Sequence, residues 1–571
     1  MTNRDLARRL RETASLIELT GGNAFRARAF ERAAGVIADL EEPAPQRLVD
    51  DTLTDLDGIG DGMAGHVGEM LAGPGDSFPQ RDELLGEVPT GLLEMLRVQG
   101  LGTKKARRLW QELGVTSLDE LEAAATAGRI QELSGFGEKT QANLLSGARR
   151  LKTYRTRRRL SDALAQAVPM LEALRTAEGI ERAEAAGTLR RHCETATRVA
   201  LIATGAPRAA EDALAPWLSS EAGFEGPARG DQPAFEGTFA DGFPFAVRLV
   251  PPERFGTDWW LMTGSEAHCA AFQEEHGVAE PHASETALYE AAGLPFIPPE
   301  LREGRGELEA ASEGALPALV EAGDLRGVLH NHSTYSDGSH TLREMAEAAR
   351  ARGLSYFGIC DHSQSLRVAG GLSPKAVREQ QREIEALNED FSENGEAPFR
   401  IFSGIESDIL KDGALDYEED MLASFDFVVG SVHQGLSMTE AEATERIVRA
   451  IEHPHLRILG HATGRQLLSR EGYPLRIERV IEACARHDVA IEFNANPRRL
   501  DLDWRHLRAA TEAGVLVSIN PDAHATDELD YMTRFGVPVA RKGGLTAPQC
   551  LNAKSLDAFT AWIEQGEENG K

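Results

Sequence analysis

Nowhere in the 571-residue chain do about eighteen apolar residues run together, the length a helix needs to cross a membrane, so a spanning segment is excluded. The opening stretch MTNRDLARRLRETASLIEL is polar and helix-periodic, with no apolar block of the kind a secretion signal carries. Cysteine is scarce. Cys193, Cys269, Cys360, Cys484 and Cys550 are odd in number, scattered and never spaced as C-x-x-C, which leaves neither a disulfide framework nor a Cys-rich zinc site. This usage fits a reducing cytoplasm. Basic charge is in deficit too: the formal net charge of −30 excludes a generally cationic nucleic-acid coat. At this length one core is too few, and three or more domains are expected.

What is present begins with helices. Leu6, Leu10, Ala14 and Ile17 recur at helical spacing, and GGNAFRARAFERAAGVIADL follows as a second amphipathic helix after a Gly-Gly break. A glycine pattern then appears three times: LDGIGDGMAGHV (56–67), VQGLGTKKARRL (98–109) and LSGFGEKTQANL (133–144). Each places an apolar residue between two glycines, then a polar residue opening a helix, the form of a helix-hairpin-helix. The glycines (Gly58 and Gly60, Gly100 and Gly102, Gly135 and Gly137) permit a tight turn, and free backbone N–H groups at the next helix start can bind a phosphate oxygen. Lys104, Lys105 and Lys139 follow two of the three. Three copies point to DNA-backbone binding that fixes position without reading sequence. The basic run ARRLKTYRTRRRL at 148–160 has seven Lys or Arg and no acid. It is either a DNA contact or a basic helix paired with acidic neighbours.

From about 160 to 300 helix and strand signals mix. GTLRRHCETATRVALI (187–202) opens with Gly187 and Thr188, followed by Arg190 and Arg191, a combination suited to holding phosphates. The apolar stretch after it should then present carboxylates for metal-assisted phosphoryl transfer, but carries Arg198 and Ala200.

From 325 a strict alternation sets in. Apolar strand candidates end in polar clusters: GVLHNHS, YFGICDHS, FRIFSGIESD, FDFVVGSVH, LRILGHAT, VAIEFNAN and VLVSINPDAH. Helical segments separate several of them. Seven β-α steps predict a parallel α/β barrel with its reactive groups at the C-terminal strand ends. Those ends supply His330, His332, Asp337, His362, Glu406, His433, His461, Asp522 and His524. In an extended strand residues i and i+2 share a side, so His330 and His332, or Asp522 and His524, can serve one cluster. Imidazole and carboxylate donors suit Zn²⁺, Mn²⁺ or Fe²⁺, and nine ligands imply two or three ions. Such a site makes phosphoester hydrolysis the reaction class. Arg367, Arg465 and Arg498 lie in loops near the mouth and are candidate substrate-phosphate contacts.

The motifs LHNHSTYSDG, CDHS, GIESDI, GSVH, GHATGR and NPDAH, in this order, resemble the PHP phosphoesterase domain. With AGTLRR, TGSEAH and GLPFIPPELREGRGE before them, the whole chain resembles a bacterial family X DNA polymerase carrying that domain at its C-terminus. The resemblance implies a Mn²⁺-dependent 3′–5′ exonuclease with a trinuclear site, and AP-endonuclease or 3′-phosphatase activity in base-excision repair. It also sets the expected layout: an N-terminal helical DNA-binding domain (1–78), helix-hairpin-helix fingers (79–155), a nucleotidyltransferase-like α+β palm (156–255), thumb and linker (256–318) and a (β/α)7 PHP barrel (319–571). All nine ligand positions carry the residue types this family expects.

The palm departs from its family. Where the pattern is Gly-Asp-x-Asp the chain has Thr197, Arg198, Val199 and Ala200, and the third carboxylate is replaced by Ala246. The family's Tyr-Phe-Thr-Gly sugar pocket is Leu261, Met262, Thr263 and Gly264. Without these carboxylates Mg²⁺ has no seat, so templated synthesis is expected to be lost, with Glu194 and Asp241 as the nearby substitutes to consider. The first lysine is Lys104, so a Schiff-base lyase in the N-terminal domain is not expected; Arg26 and Arg28 are the candidates there for a 5′-phosphate. The expectation is a monomeric DNA-repair nuclease acting on gapped, nicked or 3′-ended DNA, with two or three divalent ions, Mn²⁺ first and Zn²⁺ or Fe²⁺ as others, and with Arg190 and Arg191 retained for DNA phosphate or a nucleotide. The rivals are a small-molecule or 3′-phosphate phosphatase, a polymerase using substitute carboxylates, and a non-catalytic DNA-binding scaffold.

Overall fold

The computed structural model describes residues 3–38, 40, 43–73, 78–218, 234–277, 280–394 and 398–569. They fall into two compact units, 1–156 and 157–571. The first is helical throughout. Helix Asn3–Thr20 buries Leu6, Leu10 and Ile17 against Phe30, Ala33 and Ile37 of helix Ala24–Ala38. The three glycine motifs share one geometry. Gly58, Gly100 and Gly135 have φ of 99°, 83° and 82°, and Gly60, Gly102 and Gly137 cap helices Asp61–Ala72, Thr103–Leu113 and Glu138–Arg155. The apolar residue between the glycines is buried each time: Ile59, Leu101 and Phe136. Lys104 and Lys139 are exposed, while Lys105 donates to the Gly100 carbonyl at 3.1 Å.

The basic run resolves toward the second of its two readings. Arg149 meets Glu122 at 2.8 Å, Lys152 meets Asp119 and Glu122 at 2.6 and 2.8 Å, and Arg155 lies 3.7 Å from Glu94. In the second unit Arg158 pairs with Asp241 at 3.1 Å. Sequence could not assign these partners, because all lie more than twenty residues away.

The second unit opens with a four-stranded sheet: β1 (Ile180–Ala185), β2 (Val199–Gly205), β3 (Ala234–Thr238) and β4 (Pro244–Leu249), in the order β1-β2-β4-β3. β2 and β4 run parallel and the outer pairs antiparallel. Helix Leu160–Thr176 covers one face with Leu160, Ala163, Ala167 and Leu174. Residues 158–159 and 195–196 form a short antiparallel ladder beside it.

The barrel follows: β5 (Gly327–Val328), β6 (Tyr356–Ile359), β7 (Arg400–Asp408), β8 (Phe427–Ser431), β9 (Leu456–Leu459), β10 (Ala490–Asn494) and β11 (Val517–Asn520), all parallel and in sequence order. A single bridge, Asn331 to Ala523, joins the first strand's end to the last and nearly closes the ring. The strands are buried on both faces, which is why they read as continuous apolar runs. Thr341 and Thr439 begin two of the outer helices with capping boxes to Glu344 and Glu442. The floor is sealed by the C-terminal helix Leu556–Asn569, whose Phe559 ring stacks on Tyr356 at 4.6 Å and meets Phe402 edge-on at 5.0 Å. Gly327 makes room for the Tyr356 ring: a Cβ there would lie 1.8 Å from it. With the floor plugged, the C-terminal strand ends form the accessible mouth. No helix among the described residues is long and apolar enough to cross a membrane.

Candidate metal centre

The barrel brings all nine sequence-predicted ligands to its mouth. His330 and His332 follow β5, His362 follows β6, Glu406 belongs to β7, His433 and His461 follow β8 and β9, and Asp522 and His524 follow β11. Three groups have ligand atoms within 4.8 Å of one another: His332, Asp337, His362 and His524; His330, His332 and Asp522; and His362, Glu406 and His433. Glu406 sits at the centre, fully buried. Its oxygens lie 3.2 Å from His330, 3.8 Å from His332, 2.8 Å from His362, 3.3 Å from His433 and 3.0 Å from His461.

His330 and His332 share one cluster, as their spacing predicts, but not because they lie in a regular strand. Regular pairing of β5 ends at Val328 and that of β11 at Asn520. His330 and Asp522 then take left-handed backbones, φ 58° and 52°. Such conformations are costly outside glycine and persist where surrounding contacts hold them. The Asn331–Ala523 bridge and the Asn331 side chain, which donates to the Gly358 carbonyl at 2.9 Å, supply that restraint. Asp522 and His524 consequently serve different groups, with His332 shared between them.

Convergence on this scale requires positive charge between the donors. Both Glu406 oxygens, His330 Nε2, His332 Nδ1, His362 Nδ1 and His433 Nδ1 are buried without a hydrogen bond to any described residue. Lone pairs aimed at one another in a buried site need shared protons or bound cations. The charge balance reflects this. Burial alone would discharge His330, but Glu492, Glu406 and Asp522 outweigh it and hold the ring protonated well above its ordinary range. His362 and His524 oppose the same burial with Glu406, Asp337 and Asp522 beside them, and are pushed up to about 10 and about 9. His332, buried beside His524 and His362, falls to about 3. Burial would raise Glu406 and Asp522, yet the surrounding rings keep both well below the usual carboxylate range. A divalent cation in each group would replace these protons, and mixed nitrogen and oxygen donors suit Mn²⁺, Fe²⁺ or Zn²⁺.

Several residues that act on the cluster escaped sequence reasoning. Glu492 lies in the middle of β10, fully buried, with His330 Nδ1 at 2.6 Å and the His461 N–H donating to it at 2.7 Å. It fixes which nitrogen His330 turns to the centre. The signal was a lone acid inside the apolar strand VAIEFNAN. Asp408 meets His433 at 3.4 Å. Arg499 stands 3.4 Å from Asp522, whereas its neighbour Arg498 and Arg367 are exposed. Arg465 is committed to the protein, with Asp503 at 2.7 Å and the Arg499 carbonyl at 3.0 Å.

In the four-stranded sheet, Ala200 of β2 and Ala246 of β4 are register partners, and Gly187 (φ 61°) faces Ala200. Arg190 forms a two-pronged pair with Glu285 at 2.7 and 2.6 Å, donates to Thr263 and lies over the Trp259 ring. Arg191 meets Glu303 at 2.8 Å, and Thr188 lies beside it in the wall of a cavity of about 440 Å³. Arg198 is exposed. Of the two substitute carboxylates, Asp241 pairs with Arg158, and Glu194 is 3.0 Å from Arg505 and 3.6 Å from Arg465.

Three family models match parts of the chain. Residues 1–73 match the family described as a helix-hairpin-helix domain, 92–150 a SAM-like helix-hairpin-helix tandem, and 329–496 the PHP domain. The DNA polymerase/3′-5′ exonuclease PolX of Bacillus subtilis (strain 168) is 36% identical, over 99% of this chain and 100% of that protein. The barrel part is also similar to a probable phosphatase of Vibrio atlanticus (strain LGP32), 29% identical over 35% of this chain and 79% of that protein. A probable phosphatase of Thermoanaerobacter sp. (strain X514) is 26% identical over 39% and 88%.

Proposed function

The chain belongs to the PolX family of DNA polymerase/3′–5′ exonucleases, and on that footing we propose that it is a DNA-repair nuclease whose chemistry resides in the PHP barrel and whose palm no longer synthesises DNA. The observation that carries the proposal is the set of three overlapping ligand groups around buried Glu406 at the barrel mouth. His330, His332 and Asp522 would hold one cation, His332, Asp337, His362 and His524 a second, and His362, Glu406 and His433 a third, with His461 reaching the centre beside Glu406. When bound, Mn²⁺, or Zn²⁺ or Fe²⁺ in its place, supplies the positive charge that polarises a phosphodiester and acidifies water. The chain's own groups do the rest. Glu492 holds the His330 tautomer, Asp408 orients His433, and Arg499 stands beside Asp522. Exposed Arg367 and Arg498 offer cations to the phosphates of an incoming strand.

The helix-hairpin-helix motifs favour DNA over a small phosphomonoester as substrate. Their three capping glycines leave helix N-termini open to backbone phosphates, with Lys104 and Lys139 exposed beside two of them. Arg26 and Arg28 are exposed on the second helix, where they could receive a 5′-phosphate. The loss of synthesis is supported by alanine at both register-paired positions, 200 and 246, and by the engagement of Glu194 and Asp241 with arginines. The five unpaired thiols fit work in the cytoplasm.

The test uses purified full-length protein, end-labelled gapped DNA and Mn²⁺, with and without dNTPs, beside a His330→Ala/His332→Ala variant. Shortening from the 3′ end by the wild type alone, with no extension, is expected. Strand extension would refute the inactive palm. Hydrolysis of small phosphomonoesters with no shortening of DNA would replace the nuclease by a phosphatase.

A further inference from the structure

Glu194 is buried against the barrel, where it faces two arginines that arrive from loops beyond the strand ends. Arg465 follows the GHATG turn after β9. It donates to the Arg499 carbonyl at 3.0 Å, to Asp503 at 2.7 Å and to the Leu500 carbonyl, so three acceptors on the loop 496–503 are gathered by one guanidinium. Arg505 shares both carboxylates, 3.0 Å from Glu194 and 2.8 Å from Asp503. Two cations and two carboxylates therefore balance in a half-buried site. The loop needs such a clamp, because Leu500 has φ 45°, a left-handed backbone that a leucine adopts only under restraint. On its far side the same loop carries Arg499 to Asp522, 3.4 Å away, and Asp522 in turn lies 3.1 Å from His332. A second tether runs parallel: Arg159 donates to the Leu467 carbonyl at 3.3 Å, and the Leu467 N–H donates to the Arg498 carbonyl at 2.7 Å.

We infer that Glu194 is a positioning residue for the barrel's chemistry: through Arg465 it sets the loop 496–503 and hence the placement of Arg499 against Asp522. A palm without its own carboxylate metal site thereby acts as the brace of the neighbouring site. Removing Glu194 leaves two clamped arginines with one carboxylate between them, and an uncompensated, partly desolvated charge relaxes by moving the loop. The inference rests on the nuclease reading of the barrel.

The experiment compares the full-length wild type with Glu194→Ala and with Glu194→Gln, which keeps the shape and removes the charge. Two readouts are taken: Mn²⁺-dependent 3′ trimming resolved into kcat, KM for DNA and half-saturating Mn²⁺, and backbone hydrogen exchange over 496–503. Outer partners of metal-binding groups typically contribute ten- to a hundredfold, and Glu194 acts two contacts beyond such a partner, through Arg465 and then Arg499, so kcat should fall severalfold, up to about tenfold, in Glu194→Ala and less in Glu194→Gln. KM should stay within twofold, half-saturating Mn²⁺ should rise severalfold, and amides 496–503 should exchange faster while helix Leu556–Asn569 is unchanged. Wild-type kcat and Mn²⁺ dependence in Glu194→Ala would overturn the inference, as would a loss of activity with no change in exchange over 496–503. An inactive wild type would refute the nuclease reading instead, and the exchange comparison would still decide whether Glu194 holds the loop.

Discussion

Replacing Glu492 by glutamine tests the logic of the metal centre without altering a single direct ligand. Oε1 faces His330 Nδ1 at 2.6 Å and accepts Asn520 Nδ2 at 2.9 Å; Oε2 accepts the His461 N–H at 2.7 Å and Asn494 Nδ2 at 3.2 Å. Glutamine fits the space but must place an NH₂ at one end. Turned toward His461, it confronts a main-chain N–H that cannot change role. Turned toward His330, it can be accepted only if the ring moves its proton to Nε2, the nitrogen that lies 3.2 Å from Glu406 and is offered to a cation. Asn520 offers no easy escape, because its Oδ1 already accepts Ser518 at 2.9 Å. The first arrangement strands a buried donor at about 1–3 kcal/mol. The second removes a nitrogen from the His330, His332 and Asp522 group. Loss of such an orienting carboxylate weakens metal binding about 10–100-fold, roughly 1.4–2.8 kcal/mol. The assay is titration of Mn²⁺ followed by the paramagnetic resonance of the free ion, with thermal melts of the metal-free protein alongside. A Glu492→Gln protein that binds Mn²⁺ within twofold of wild type would refute the reasoning.

Three further outcomes follow from the same structure. Because His362 and His524 are held protonated up to about 10 and about 9 in the metal-free cluster, Mn²⁺ must displace those protons. Affinity should therefore rise with pH from about 6 to 9, about tenfold per unit for each proton displaced, with acid released on titration in weak buffer; a pH-independent affinity would count against this. Aspartates introduced together at Ala200 and Ala246 would face each other across one register and cost about 1 kcal/mol, a loss that Mg²⁺ should reverse in thermal melts; indifference to Mg²⁺ would show that this face has lost metal-site geometry altogether. Gly327→Ala forces a methyl group into the Tyr356 ring, which is stacked on Phe559, and should destabilise by about 1–3 kcal/mol in denaturant titration.

Much of this molecule is written locally. Turn glycines in left-handed backbone, Thr-x-x-Glu helix starts, apolar strand runs and the residue types at their ends all depend on neighbours a few positions away, and such patterns can be read along the chain. They determined the three hairpin motifs, the seven parallel strands and the nine residues at the barrel mouth, whereas the reading of Ala200 and Ala246 as positions where a palm would carry acids came from the family resemblance. Tertiary structure decided what those residues do to one another. It assigned His332 to two ligand groups, made Glu406 their common centre, brought Glu492 from 162 residues away to set the His330 tautomer, and turned Arg190 and Arg465, both readable as phosphate contacts, toward carboxylates of the protein itself. Charge has no period along a sequence. Its partner is whichever group the fold brings within a few ångströms after burial has removed the water between them, and only the folded chain settles that.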